Sequence, residues 1–335
     1  MSGARLFFLA ALFVSFSFPG ALHAEGFPGK ALQGVIMWGA GGAMDNVSRA
    51  VTPNVEPNLG TEVVLVNKPG GTGAIATQFV FSSRSDGYTL LYGAENPQLY
   101  GVLGLSKLDY KDFFPVNILA RGLTVILVRN DSPWKNLKDL VNDALANPSK
   151  IKMGATGPGG VPYVVGKLID TVTGIKTLSV PFKGEGPGIT ALLGGHVDFI
   201  PTGLAAASEH IRSGRVRAIA VVDSSPLTLG DNVIPAITDD FEAFKKYVPW
   251  GPFYGVFCKK DVPEAAKKIL VDAFKKGAES DRFKEFLKAN QLVLMNINGD
   301  EASEYAKRWQ SVTTWLLHDA GATKISPAEL GIPKP

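Results

Sequence analysis

The stretch GVIMWGAGGAMDNVSR, residues 34–49, decides the fold. Its first five residues, Gly34 to Trp38, form a short β-rich, mostly apolar run; Gly39-Ala40-Gly41-Gly42-Ala43-Met44-Asp45 is a glycine-rich loop; the residues after it open a helix. A strand that is apolar on both faces is buried on both, and one that runs through a glycine turn into a helix begins a β-α-β unit. Glycines let the chain turn sharply and leave backbone N–H groups bare, while the start of the following helix favours negative charge. The loop therefore reads as an anion site, or else as an ordinary strand-to-helix turn. Asp45 complicates the first reading, because a carboxylate there repels a bound carboxylate. It either caps the helix with its oxygens on backbone donors, or reaches a ligand through water or an amine. A dinucleotide fingerprint is disfavoured: G-x-G-x-x-G needs glycine where Met44 stands.

Outward from this unit the same alternation continues. Further β-rich runs fall at Glu62 to Asn67, Tyr88 to Tyr92, Thr124 to Val128, Ile151 to Gly154, Phe199 to Pro201, Val216 to Val222 and Phe253 to Phe257. Between them, Leu137, Leu140, Val141 and Leu145, and then Val164, Val165, Leu168, Ile169 and Val172, each lie on one helical face. The class is α/β, with parallel-rich sheets flanked by helices. No internal repeat or low-complexity linker is visible. The C-terminal third is helical over Glu264 to Gly277, Asp281 to Ala289 and Asp300 to Leu317, and reads as scaffold.

Three more glycine-rich loops accompany these strands: residues 67–73, 154–160 and 181–188. Ligands of open α/β sheets bind at strand ends, so the four loops predict one cleft lined from two sides. Candidate contacts are Trp38, Gly39, Ala40, Gly41, Gly42 and Asp45 from the first loop and Thr156, Gly157 and Gly159 from the third. Phe182, Lys183, Gly184, Glu185 and Gly188 come from the fourth. Lys183 supplies the cleft with positive charge or is a solvated surface residue. Asp198, after the Gly194-Gly195 turn, is a pocket acceptor or a turn residue.

Composition narrows the function. Thirty-four Lys and Arg against 31 Asp and Glu leave no basic stripe for nucleic acid. Cys258 is the single cysteine, which excludes a disulfide scaffold. Arg5 precedes an apolar run, Leu6 to Phe18, too short for the ~20 residues of a membrane span; residues 1–24 read as a secretory signal cleaved near Ala24. The remainder suffices for two domains of ~150 residues each. No G-x-S-x-G elbow appears, and His23, His196, His210 and His318 are scattered, giving neither a metal pair nor an evident triad. No enzymatic activity, metal or cofactor is expected.

Five segments in register carry a resemblance: Ile36 to Arg49, Asn67-Lys68-Pro69-Gly70-Gly71, Asp86-Gly87-Tyr88-Thr89-Leu90, Val180-Pro181-Phe182-Lys183-Gly184, and Leu192-Leu193-Gly194-Gly195-His196-Val197-Asp198. Over roughly residues 27 to 325 the chain resembles the substrate-binding proteins of tripartite tricarboxylate transporters, the Bug or TctC receptors. The resemblance implies a two-lobed, type II-like periplasmic binding protein acting as a monomer. Lobe 1 is expected over residues 25–124 and 253–335 and lobe 2 over 125–252. Two strands join them, crossing near Val125 to Arg129 and Pro252 to Phe257, and the lobes close on a ligand like a hinge. It also implies that a small carboxylate, mostly a di- or tricarboxylate and in some members an amino acid or aromatic acid, is held by the loops at Trp38 to Asn46 and Val180 to Gly188, commonly with bridging waters. The implied partner is a membrane permease of one large and one small subunit; a ligand-occupancy sensor with the same fold, and behind it a hydrolase, are the alternatives. Met37, Gly39 and Met44 depart from the usual pattern, as does Pro53, which is expected to interrupt the first helix.

Overall fold

Strand β1, Leu32–Ile36, turns through the glycine loop into helix α1, Ala43–Leu59, and the chain continues through β2, Val63–Asn67. Helix α2, Ala74–Ser82, strand β3, Thr89–Ala94, the short α3, Tyr100–Leu103, and β4, Phe113–Arg121, follow. This computed structural model describes residues 26–248 and 250–335; the expected signal segment lies outside them.

Gly122 and Leu123 then carry the chain into a second sheet, built from β5, Thr124–Arg129, α4, Leu137–Ala146, β6, Lys152–Ala155, and α5, Val161–Thr173. After these come β7, Leu178–Pro181, α6, Glu185–Leu193, β8, Phe199–Gly203, α7, Leu204–Arg212, and β9, Val216–Val221. A hairpin of β10, Leu227–Leu229, and β11, Asn232–Ile234, and the short α8, Ile237–Asp240, precede the return. Strand β12, Phe253–Lys259, rejoins the first sheet, followed by α9, Glu264–Ala278, α10, Asp281–Ala289, β13, Val293–Ile297, and α11, Gly299–Asp319.

The first sheet runs β13-β4-β12-β3-β1-β2 and the second β7-β6-β8-β5-β9. Each holds a parallel triple with its earliest strand in the middle, β2-β1-β3 and β7-β6-β8. Next to each triple lies an antiparallel strand newly arrived from the other side, β12 or β5, and beyond it β4 or β9, with β13 added at the far edge of the first sheet. The two sheets thus share a strand order that no sequence repeat announces. Both are mixed, and the expected parallel order holds in the triples. The reason is burial: β5 and β12 are buried along nearly their whole length, and an antiparallel strand covered on both faces has the same apolar composition as a parallel one.

Helix α1 corrects one expectation. It runs unbroken through Pro53 and Pro57. Both prolines lie on the exposed face, where water satisfies the carbonyls whose N–H partners they remove. Val47, Val51 and Val55 point the opposite way and are fully buried. The helix ends at Gly60, whose left-handed φ of 70° lets its N–H donate to the Glu56 carbonyl at 2.9 Å. Among the described residues no helix is long and apolar enough to cross a membrane, and no cluster of His, Cys, Asp and Glu is placed to hold a metal.

Candidate ligand-binding site

The C-terminal ends of β1 and β3 in one sheet face those of β6 and β8 in the other, as open α/β sheets place their ligands. The cleft between them is lined by Trp38, Gly39, Gly42, Ala43, Met44, Ala94 and Glu95 on one side and by Thr156, Val161, Pro162, Gly184 and Glu185 on the other, with Pro252 and Tyr254 from the return crossing. Its volume is about 30 Å³. That is room for a few waters, so a ligand enters only when the two sides part.

Three helices begin on this cleft, and the residue before each is glycine: Gly42 for α1, Gly160 for α5 and Gly184 for α6. None is capped by its own side chain. Each of these glycines accepts the first intrahelical bond through its carbonyl, from Asn46, Val164 and Gly188 respectively, which leaves the first N–H groups of each helix outside the ladder. Converging amide donors with the positive ends of three helix dipoles make an anion-favouring surface without a cationic side chain.

Two carboxyls share the cleft. Glu185 reaches across it: Gly203 N–H donates to Oε1 at 2.5 Å, and Ala43 N–H, from the other side, donates to Oε2 at 3.4 Å. Burial raises its pKa against these bonds. Glu95, directly after β3, is 2 % exposed. Burial foremost, with the charge of Glu185 adding to it, pushes its pKa up to about 8. Asn96 beside it ties the cleft together. Its Oδ1 accepts from Trp38 Nε1 at 3.0 Å, and its Nδ2 donates to the Gly159 carbonyl of the opposite side at 2.7 Å.

Of the residues predicted from sequence, Trp38, Gly39, Gly42, Thr156, Gly184 and Glu185 meet in this cleft. Ala40 and Gly41 stand at its exposed edge against Gly186. Asp45 is turned away and engaged: Oδ2 accepts from Gly41 N–H at 3.0 Å, and Oδ1 accepts from Arg49 Nε and Asn67 Nδ2, each at 2.9 Å. Gly157 and Gly159 serve the approach of the two sides. A β-carbon on Gly157 would lie 2.8 Å from Thr72 Oγ1 and one on Gly159 2.8 Å from Leu103 Cδ1. Phe182 packs on the core, Lys183 is exposed, and Gly188 faces Ile200 inside lobe packing. Asp198 sits at the start of β8, the end away from the cleft, where its Oδ2 accepts from Lys152 N–H at 2.7 Å. It lines a separate groove with Arg129 and Trp134. Glu95 and Tyr254 are the functional candidates that sequence reasoning missed. The signal for Glu95 was its place directly behind an apolar strand; no glycine loop drew attention to it.

Comparison with known proteins agrees with this architecture. The profile of the family described as "Tripartite tricarboxylate transporter family receptor" matches residues 47–314. Protein BugT of Bordetella pertussis is 28 % identical over 233 residues, covering 68 % of this chain and 72 % of BugT. The structure of the periplasmic binding protein BugD superposes with a TM-score of 0.82 at 27 % identity, covering 88 % of this chain and 99 % of BugD. The structure of MatC from Rhodopseudomonas palustris, with bound malate, shares the fold at a TM-score of 0.77 and 23 % identity, covering 86 % of this chain and all of that one (100 %).

Proposed function

Because the chain belongs to the tripartite tricarboxylate transporter receptor family, a family of solute receptors and not of enzymes, we propose that it captures a small carboxylate in this cleft and delivers it to a membrane transporter. The supporting observation is the convergence, from both sheets, of three helix starts each preceded by glycine, of which, among the described residues, only the first N–H of α1, that of Ala43, is taken by a side chain, Glu185. Such starts hold a carboxylate through backbone N–H groups. In this reading lobe 1 comprises residues 25–124 and 253–335, lobe 2 residues 125–252, and the protein works as a monomer in the periplasm after signal cleavage. The partner is a permease of one large and one small subunit, and the ligand in this reading is a small molecule of the order of the malate that MatC holds.

The mechanism rests on the crossings. The lobes part about the segments at Gly122 and Gly251, admit the ligand, and close through contacts that exist only in the closed form, among them Asn96 with Gly159 and Glu185 with Ala43. A thermal-shift screen of the mature protein across mono-, di-, tri- and aromatic carboxylates and amino acids tests the reading. A true ligand at 100 times its Kd adds about 2.7 kcal/mol of stability. A flat response from every carboxylate, with the protein folded, rejects it.

A further inference from the structure

We propose that the cleft is built for a zwitterion, a small carboxylate that also bears a protonated amine, with the amine against Glu95 and Glu185 and the carboxylate on the helix starts. The inference rests on the receptor reading and sharpens it to a substrate class. Glu95 carries it. Its Oε1 accepts from Asn96 Nδ2 at 3.3 Å, and the backbone N–H groups of Glu95 itself and of Phe253 lower its pKa, while Oε2 is buried with no partner at hydrogen-bond geometry among the described residues; Glu95 is one of the residues that line the cleft. Native proteins seldom leave a buried carboxyl oxygen unpaired, and one that faces a binding cleft is completed by what binds there.

The chemistry of that missing partner is constrained. Among the described residues that line the cleft there is no Lys, Arg or His. Glu185 adds a second carboxyl, fixed by the backbone N–H groups of Gly203 and Ala43. The Tyr254 hydroxyl stands close by: a β-carbon on Gly203 would lie 3.1 Å from Glu185 Oε1 and 3.2 Å from the Tyr254 oxygen. An ammonium group brings three donors and the charge that two carboxyls lack. A second ligand carboxylate brings neither, and meets like charge in a site from which water is largely excluded.

One rival stands on the same residues: Glu95, still holding its proton, donates a hydrogen bond to a ligand carboxylate. The two readings give opposite pH slopes. Pairing with an amine expels the Glu95 proton, so affinity rises with pH across the range below about 8; donation to a carboxylate requires that proton, so affinity falls. The groups packed around Glu95 do not blur this contrast. Burial holds the hydroxyls of Tyr100, Tyr110, Tyr254 and Tyr305 above their ordinary range, so they stay protonated throughout. Asp109 and Glu185 are carboxyls raised by burial in the same sense as Glu95, and an amine facing Glu185 acts on it in the same direction.

Calorimetric titration of the mature protein with skeleton-matched probes decides the matter: L-glutamate, 4-aminobutyrate and glutarate, and L-aspartate with succinate, each at pH 6, 7 and 8. The expected result is at least tenfold tighter binding of an amine-bearing member than of its dicarboxylate, with affinity rising with pH. Glu95→Gln is expected to erase at least tenfold of that preference. Dicarboxylates binding as tightly as their amino counterparts, or a falling pH slope on the unaltered chain, overturns the zwitterion assignment and leaves the receptor reading standing. Silence from all five probes and from the wider carboxylate screen overturns both. The pH slope needs no mutant, so a misfolded variant does not remove the test.

Discussion

Gly251 passes so close to Gly122 that a β-carbon on the former would lie 2.1 Å from the carbonyl oxygen of the latter. The contact is backbone on backbone, and beside it Gly122 N–H donates to the Pro252 carbonyl at 2.8 Å. These are the two segments by which the chain leaves the first sheet and returns to it, so both crossings are pinned at one point. Gly251→Ala forces them apart and is expected to destabilise the protein by about 2–3 kcal/mol. Chemical denaturation measures it; an unchanged midpoint would show that the crossings are free to slide.

Gly184 holds a φ of 146°, a conformation that side-chain-bearing residues rarely adopt, and its absent β-carbon faces Gly39 across the cleft at 3.8 Å from the backbone nitrogen. Gly184→Val is expected to abolish the ligand-induced rise in Tm while the ligand-free protein remains folded by circular dichroism. Gly42 has an ordinary φ of −80°, so Gly42→Ala is tolerated by the backbone, whereas Gly42→Leu fills the cleft and removes the ligand response.

Asn96→Ala deletes the bond to Gly159 that spans the two sides, worth about 1 kcal/mol for a neutral pair. The closed population falls accordingly. Apparent ligand affinity is expected to drop roughly fivefold, and small-angle scattering of the ligand-free protein should show a larger radius of gyration. An unaltered scattering curve together with unaltered affinity counts against a closing role for Asn96.

Stability should fall with rising pH on account of Glu95. Its folded-state pKa, about 8, lies above the ordinary 4.5, so between those values the folded chain keeps a proton that the unfolded chain has released. Stability is therefore lost progressively across that window, and the loss is complete above it. Glu95→Gln removes this contribution. The variant's Tm should exceed that of the unaltered protein at pH 8 by at least about 2 °C, and the difference should vanish toward pH 4.5. Parallel Tm curves would contradict a buried, raised carboxyl.

Much of this architecture was legible in the amino-acid order, for a physical reason: eight apolar runs and the C-terminal helical faces bury residues at strict periods. Apart from the three-residue strands of the β10–β11 hairpin, too short to show a period, the strands that escaped notice are those whose period is broken. Strand β4 contains Pro115 and Asn117 and pairs with β12 through two register shifts, one of them at Val256/Phe257, where Pro115 stands opposite Phe257. Strands β7 and β13 lie at sheet edges and are largely exposed or half-buried, so they lack an apolar face to count. The glycine loops pointed to residues on both sides of the cleft, because a helix start preceded by glycine is written in the sequence itself. Glu95 and Tyr254 were not legible, since their convergence depends on β3 and β12 lying side by side, a pairing between residues far apart in the chain.

The lone thiol has a practical corollary. Cys258 sits in β12 with no exposed surface, and burial pushes its pKa up to about 12, so maleimides and iodoacetamides find neither access nor a thiolate. The protein thus arrives already silent toward such reagents. A cysteine introduced at the exposed lip, for instance Ala40→Cys, becomes the sole attachment point for a fluorophore, turning lobe motion into an optical signal without prior removal of the native sulfur.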